Sequence, residues 1–267
     1  MHLWPRWMCC CCALFAARAE VCINRISNDL VAVRGLRCPS SEWEPYRGAG
    51  ANLFDALWDA ERQRPDVSFA DALHALDTFA ASGLRYFRMF GKLYGRSHDM
   101  WLTEPAAFWG TFDRLIDAIE ARRLHAIVSI ELGSFGVLAD EPLNALVQDS
   151  ESPSRALARR YTHELTSRYR NRSGVLLWEL TNELNLFASL SPRYVCDFAE
   201  TDPCFDTDAL TSFTEDMVAT IRSVDSARPI SSGFSSPRPC AWHLEHGRAK
   251  GQDTEAQWAQ MLIRQHR

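Results

Sequence analysis

Gly174-Val175-Leu176-Leu177-Trp178-Glu179-Leu180-Thr181-Asn182-Glu183 decides how the chain is read. The stretch begins as an uninterrupted apolar run, which fits a strand buried on both faces of a parallel sheet. It ends on two polar residues. Barrel enzymes place their active sites at the carboxyl ends of the strands, so a buried run terminating in Asn182-Glu183 carries an ionisable group to the position where a catalytic carboxylate belongs.

On either side of this stretch the chain repeats one unit. Ser68 caps a helical pattern through Ala72, Leu73, Leu76 and Phe79 to Gly83, and residues 84–90 follow as an apolar strand. Pro105 opens a second helix through Phe112, Leu115, Ile116 and Ile119, before a strand at 124–130. Pro153 starts a third through Ala156, Leu157, Tyr161 and Leu165, leading to the strand that opens at Gly174. A fourth helix over 208–224 precedes Pro229-Ile230-Ser231-Ser232-Gly233, and an amphipathic helix with Trp258, Met261, Leu262 and Ile263 closes the chain. Upstream, residues 22–46 read as a short β-hairpin region leading into the Gly-rich strand end Arg47-Gly48-Ala49-Gly50-Ala51-Asn52.

Strands alternating with helices of this length imply parallel βαβ units. The fold class is therefore α/β, a (β/α)8 TIM barrel of which strands 1–5 and their helices are present. A doubly wound open sheet is the alternative, but no Gly-x-Gly-x-x-Gly turn opens the first helix.

Trp178-Glu179-Leu180-x-Asn182-Glu183 resembles the fourth-strand motif of glycoside hydrolase family 5, the cellulases and β-mannanases, and of the wider clan A retaining glycosidases. The resemblance implies that Glu183 is the catalytic acid/base and that Asn182 contacts the sugar 2-hydroxyl. Gly48-x-Gly50-Ala51-Asn52 looks like the end of the family's first strand, and 84–90 like its second, where Arg88, rather than Arg85, is expected to support the nucleophile. Asn52, Trp101, Trp178 and Trp242 are the expected substrate contacts, and Trp58 and Trp109 also fall in or near loops where aromatic faces stack on sugar rings. Arg228-Pro229-Ile230-Ser231-Ser232-Gly233 is similar to the approach to the fifth strand.

Two departures stand out. The family's third strand commonly ends with a His after an Asp, whereas this chain reads Ser129-Ile130-Glu131-Leu132-Gly133. The family also places its nucleophilic Glu on the seventh strand, and this sequence stops after the helix that follows the fifth. A retaining glycosidase needs two carboxyl groups about 5–5.5 Å apart. Glu131, on the neighbouring strand, and Glu179, deeper in its own strand and expected to pair with a buried base, do not qualify as the second. The expected activity is thus hydrolysis of a β-linked polysaccharide, β-mannan or β-glucan, by a retaining mechanism impaired for want of the nucleophile. The alternative is a carbohydrate-binding barrel fragment without turnover. Neither reading calls for a metal or organic cofactor.

Composition narrows the partners. The 267 residues are 46% hydrophobic and 24% charged with a net charge of −5, and acids and bases are interspersed, so there is no basic stripe for nucleic acid. An apolar run from Trp7 to Ala17 followed by Ala17-Arg18-Ala19 fits a signal peptide over 1–19, giving a secreted, extracellular barrel domain over 20–267 with no membrane attachment after cleavage. The run is shorter than the ~20 residues a membrane span requires. Outside it remain Cys22, Cys38, Cys196, Cys204 and Cys240, an odd number, so at least one thiol lacks a partner within the chain. Cys196 and Cys204 are close enough in sequence to close a disulfide. His98, His163, His243 and His246 form no metal-ligand spacing, and Asn171-Arg172-Ser173 is a glycosylation acceptor sequence.

Overall fold

A computed structural model describes residues 19–23, 30–34, 43–57, 68–92, 99–188, 205–246 and 251–266. The hairpin region is a three-stranded antiparallel sheet of β1 (Ala19–Ile23), β2 (Leu30–Arg34) and β3 (Trp43–Pro45), in that order. The rest is one parallel sheet. It contains β4 (Gly50–Asn52), β5 (Tyr86–Phe90), β6 (His125–Ser129), β7 (Val175–Glu179) and β8 (Ile230–Ser231), side by side in sequence order. Among the described residues this is an open arc, five-eighths of an eight-stranded barrel, with β4 and β8 at its edges.

Each connecting helix has a local reason to start where it does. α3 (Pro105–Ala121) carries Pro105 at its first turn, where the missing N–H costs nothing. α2 (Met100–Thr103) is a single turn just before it, and α1 (Ser68–Ala81) leads from β4 to β5. α6 (Pro153–Tyr169) combines Pro153 with a Ser152 cap whose Oγ accepts the Arg155 N–H at 3.2 Å. α7 (Thr207–Arg222) is capped by Asp206, which accepts the Ala209 N–H at 2.7 Å. α9 (Glu255–Gln265) opens on a reciprocal capping box between Thr254 and Gln257. Between β6 and α6 the chain makes two short helices, α4 (Phe135–Ala139) and α5 (Leu143–Gln148), and between β8 and α9 it makes α8 (Ala241–Glu245).

Alternation along the strands separates two faces. Phe87, Met89, Ala126, Val128 and Trp178 are fully buried against the helices, where they meet Leu76, Phe112, Ile116, Leu165 and Phe213. Each of the large side chains among them contributes about 1.5–3 kcal/mol of transfer free energy. Tyr86, Arg88, Phe90, His125, Ile127 and Leu177 lie on the opposite face and are only partly buried. Arg228 secures the amino-terminal end of β7, donating to the Arg170 and Arg172 carbonyls at 2.8 and 3.1 Å and also to the Val175 carbonyl.

Candidate active site

The carboxyl end of β7 is stitched to the chain beyond β8. Leu180 N–H donates to Ser231 O at 2.9 Å, Thr181 N–H to Ser232 O at 3.2 Å, and Glu183 N–H to Gly233 O at 2.9 Å. Glu183 itself sits in the left-handed region at φ 57° and opens a 3-10 turn over Leu184–Phe187. Thr181 Oγ1 catches the first free N–H of that turn, from Leu184, at 3.2 Å. A non-glycine residue in this conformation stores about 1 kcal/mol or more, and the surrounding bonds hold it there. The result is that the Glu183 side chain stands exposed at the end of the strand.

Arg88 organises what lies beneath it. Its Nε donates to Glu179 Oε1 at 2.6 Å, and its guanidinium also reaches Asn182 Oδ1 at 3.1 Å. The Arg88 and Glu179 side chains are 18% and 9% exposed, so the pair is largely desolvated. Glu179 is therefore paired with a base, as its depth in the strand suggested. Arg88 holds Glu179 and Asn182 together, and through Asn182 it holds the turn that presents Glu183.

The third strand ends in a matching turn. Glu131 is at φ 58° and opens the 3-10 turn Leu132–Ser134, pinned to β7 by Leu132 N–H to Leu180 O at 3.1 Å. Glu131 is partly buried, with its Oε2 shut off from solvent, and desolvation raises its pKa to about 7, against the opposing pull of the Asn182 backbone N–H, Arg88 and Lys92. Lys92, just beyond β5, is 4% exposed, donates to Ser134 Oγ at 2.7 Å and lies over the Phe135 ring, and desolvation lowers its pKa to about 8. Nothing in the sequence around Lys92 announces this burial.

Gly233 makes the close approach of the two strand ends possible. It adopts φ 72°, and a Cβ there would lie 1.8 Å from the Thr181 carbonyl oxygen and 2.8 Å from Glu179 Cγ. Gly233→Ala is expected to cost about 2–3 kcal/mol and to displace the Asn182–Glu183 turn. Chemical denaturation measures the first effect. An unchanged midpoint would mean that the two strand ends are not held this closely.

The expected substrate contacts divide. Asn52, opposite Arg88 in the β4–β5 register, is exposed at the strand end. Trp242 is partly exposed on α8 and stacks on His246 with ring centroids 4.1 Å apart. Trp101 and Trp178 require correction, because neither is open to a substrate. Trp101 is 3% exposed, packs edge-on against Tyr161 at 5.0 Å, and its indole N–H is satisfied by Glu164 at 2.7 Å. Trp178 is fully buried, with its N–H donated to Asp225 at 2.9 Å. Trp109 lies in α3, stacked on Tyr161. Trp101→Phe is therefore expected to cost about 1–2 kcal/mol of stability through the lost N–H bond and volume, with KM unchanged. Thermal unfolding with parallel kinetics checks it, and a raised KM with unchanged stability would contradict it.

Trp58, His98, Cys38, Cys196, Cys204 and residues 1–18 lie outside the described residues. Cys240 carries a free thiol. His163 is exposed, and His243 Nδ1 meets Asp253 Oδ1 at 2.6 Å. Among the described residues no group of three or more His, Cys, Asp or Glu could hold a metal ion, and no helix is long and apolar enough to cross a membrane.

Solved structures share the fold. Over 87% of the chain it superimposes on 60% of the glycoside hydrolase family 5 mannosidase from Rhizomucor miehei, with a TM-score of 0.59 at 13% identity. The fold is that of the family 5 glycoside hydrolases. A variant of the same mannosidase in complex with mannosyl-fructose matches 77% of this chain and 55% of its own, with a TM-score of 0.54 at 13% identity. The β-1,4-D-mannanase from Cryptopygus antarcticus matches 79% of this chain and 59% of its own, with a TM-score of 0.53 at 11% identity. The chain thus spans less than two-thirds of the length of each of these solved structures. No protein-family profile and no curated protein matches the sequence.

Proposed function

We propose that this chain carries the acid/base half of a glycoside hydrolase site acting on a β-linked polysaccharide by a retaining mechanism. The observation that carries the reading is the turn Asn182-Glu183, presented in a left-handed conformation at the end of the fourth parallel strand and tied through Asn182 to Arg88. In this reading Glu183 protonates the glycosidic oxygen as the leaving group departs. It then takes a proton from the water that resolves the glycosyl-enzyme intermediate. Asn182 contacts the sugar 2-hydroxyl, while Asn52 and Trp242 offer a polar contact and an aromatic platform at the same end of the sheet.

β-mannan is the preferred substrate over β-glucan, on the strength of a fold shared with a mannosidase and a mannanase. The nucleophile is assigned to none of the described carboxyls, because Glu179 is held by Arg88 and Glu131 sits in the turn just past the neighbouring strand with its Oε2 buried. That engagement favours a second reading, a sugar-binding protein without turnover. Secretion belongs to the proposal as well, on the apolar run that ends at Ala17-Arg18-Ala19.

The test is release of reducing sugar from β-mannan and from carboxymethyl-cellulose, together with retardation of the protein in native gels containing either polymer. Turnover supports the first reading. Retardation without turnover supports the second, and neither effect on either polymer overturns both.

A further inference from the structure

We propose that Asn185 is a positioning residue for Glu183: its buried side-chain amide pairs with the Ser235 peptide and so fixes the turn that presents the Glu183 carboxyl. The kinetic consequence rests on the acid/base reading of Glu183, and the geometry does not.

Past the end of β7 the backbone ladder to the chain beyond β8 runs through Leu180, Thr181 and Glu183, whose N–H groups donate to the carbonyls of Ser231, Ser232 and Gly233. From Leu184 on the backbone coils into its 3-10 turn, with Leu184 N–H turned back to Thr181 Oγ1 and Leu186 N–H to the Glu183 carbonyl. Asn185 continues the pairing with its side chain. Its Oδ1 accepts the Ser235 N–H at 3.0 Å and its Nδ2 donates to the Ser235 carbonyl at 2.7 Å, so the amide stands where the peptide of a neighbouring strand would. The 185–235 pair follows the 183–233 pair two residues further along both chains. The remaining Nδ2 hydrogen goes to Gln265 Oε1 at 2.9 Å, at the last residue of α9.

Asn185 is 2% exposed and Gln265 5%, so these bonds form away from water, where an amide left unpaired is costly. Glu183 needs such a hold. At φ 57° it sits against its own backbone preference, and a residue persists there only while its surroundings over-determine it. The Gly233 carbonyl and Thr181 fix the chain at and before the turn, and Asn185 fixes it two residues after Glu183. Arg238, partly exposed, adds a single bond to the Leu186 carbonyl at 3.0 Å. With Asn185 removed, the far flank of Glu183 is released, its φ can relax, and the carboxyl swings away from the strand end. A misplacement of about 1 Å is enough to cost a catalytic group about 10²-fold.

The experiment is backbone hydrogen exchange, followed by NMR on the full chain and its variants. In Asn185→Leu the Glu183 and Ser235 amides are expected to exchange about 10-fold faster or more, while the Ala126 amide, bonded to the Gly174 carbonyl at the other end of the sheet, keeps its rate. Gln265→Leu leaves the Ser235 pairing in place and is expected to change the Glu183 rate by less than about threefold. Asn185→Asp keeps the acceptor for the Ser235 N–H and loses both donors. It is expected to give a smaller rise at Glu183, and it carries the test if Asn185→Leu does not fold. An unchanged Glu183 rate, an equal rise at Ala126, or a Gln265→Leu effect as large as that of Asn185→Leu overturns the proposal. In kinetics, Asn185→Leu is expected to lower kcat/KM on β-mannan about 10-fold or more, through kcat with KM near its parent value. On an aryl β-mannoside, whose leaving group needs little protonation, the loss is expected to stay below about threefold. Equal losses on the two substrates would overturn the positioning role. If Glu183→Gln leaves turnover intact, or β-mannan is not turned over at all, it is the acid/base reading that fails, and the exchange rates decide the Asn185 clamp on their own.

Discussion

On the proposed acid/base reading, Glu183→Gln is expected to lower kcat on β-mannan by about 10²–10⁴-fold, the usual contribution of a positioned general acid to a transition state. The substitution keeps the shape and hydrogen-bonding reach of the side chain and removes only its capacity to deliver and recover a proton. Because Glu183 is exposed, and because its left-handed turn is held by backbone bonds to Gly233 and by Thr181, folding should change by no more than about 0.5 kcal/mol. KM should stay close to its parent value, because proton donation is used in the transition state and not in ground-state binding. Substrates with a good leaving group need little protonation and should lose much less. Measuring kcat on β-mannan and on an aryl β-mannoside side by side separates the two cases. Equal losses on both would point to a damaged site, and no loss on either would remove Glu183 from the chemistry.

The fold was legible because each unit of the sheet is specified locally. The helices that begin at Pro105 and Pro153 start where the sequence places them, and the strands at 124–130 and 174–178 are observed as His125–Ser129 and Val175–Glu179. A long amphipathic helix and a buried apolar strand leave a periodic trace, and a first-turn proline marks a boundary. The short elements leave no such trace. α2 is four residues long and α4 is five, so Trp101 and Phe135 could not be placed by periodicity, and both turn inward onto Tyr161. Trp178 escaped for a different reason. A strand covered on both faces has no polar side to set its phase, so only the structure shows that Trp178 points to the helices and Glu179 to the inner face with Arg88.

The position of Asn182 and Glu183 just past a strand end was legible, and what depends on two strand ends touching was not. Glu131 registered in the sequence as a residue standing where a histidine was expected and as a carboxylate set aside as the second catalytic group. The pinning of its turn to the residue after β7, through Leu132 N–H to Leu180 O, depends on the register between β6 and β7, which shifts between Ala126 and Ile127. Gly233 gave no signal of its own, because the carbonyl that excludes a side chain there belongs to Thr181, 52 positions earlier.

Arg88→Met is expected to have the largest effect on stability, about 3–5 kcal/mol, because it leaves Glu179 with 9% exposure and no counter-charge. The same substitution removes the donor to Asn182 Oδ1, so catalysis should fall together with stability. These two consequences can be separated. In the double variant Arg88→Met, Glu179→Leu the buried charge is gone, and an apolar pair of similar volume is expected to recover most of the lost stability. Asn182 remains without its guanidinium partner in that variant, so turnover is expected to stay low. Recovery of stability without recovery of kcat would assign Arg88 two roles, one in neutralising Glu179 and one in orienting Asn182. Recovery of both would mean that the ion pair alone matters and that Asn182 needs no support. Recovery of neither would mean that the stacking of Arg88 over Phe54, with its guanidinium carbon 5.1 Å from the ring centre, carries more of the local packing than its charge does.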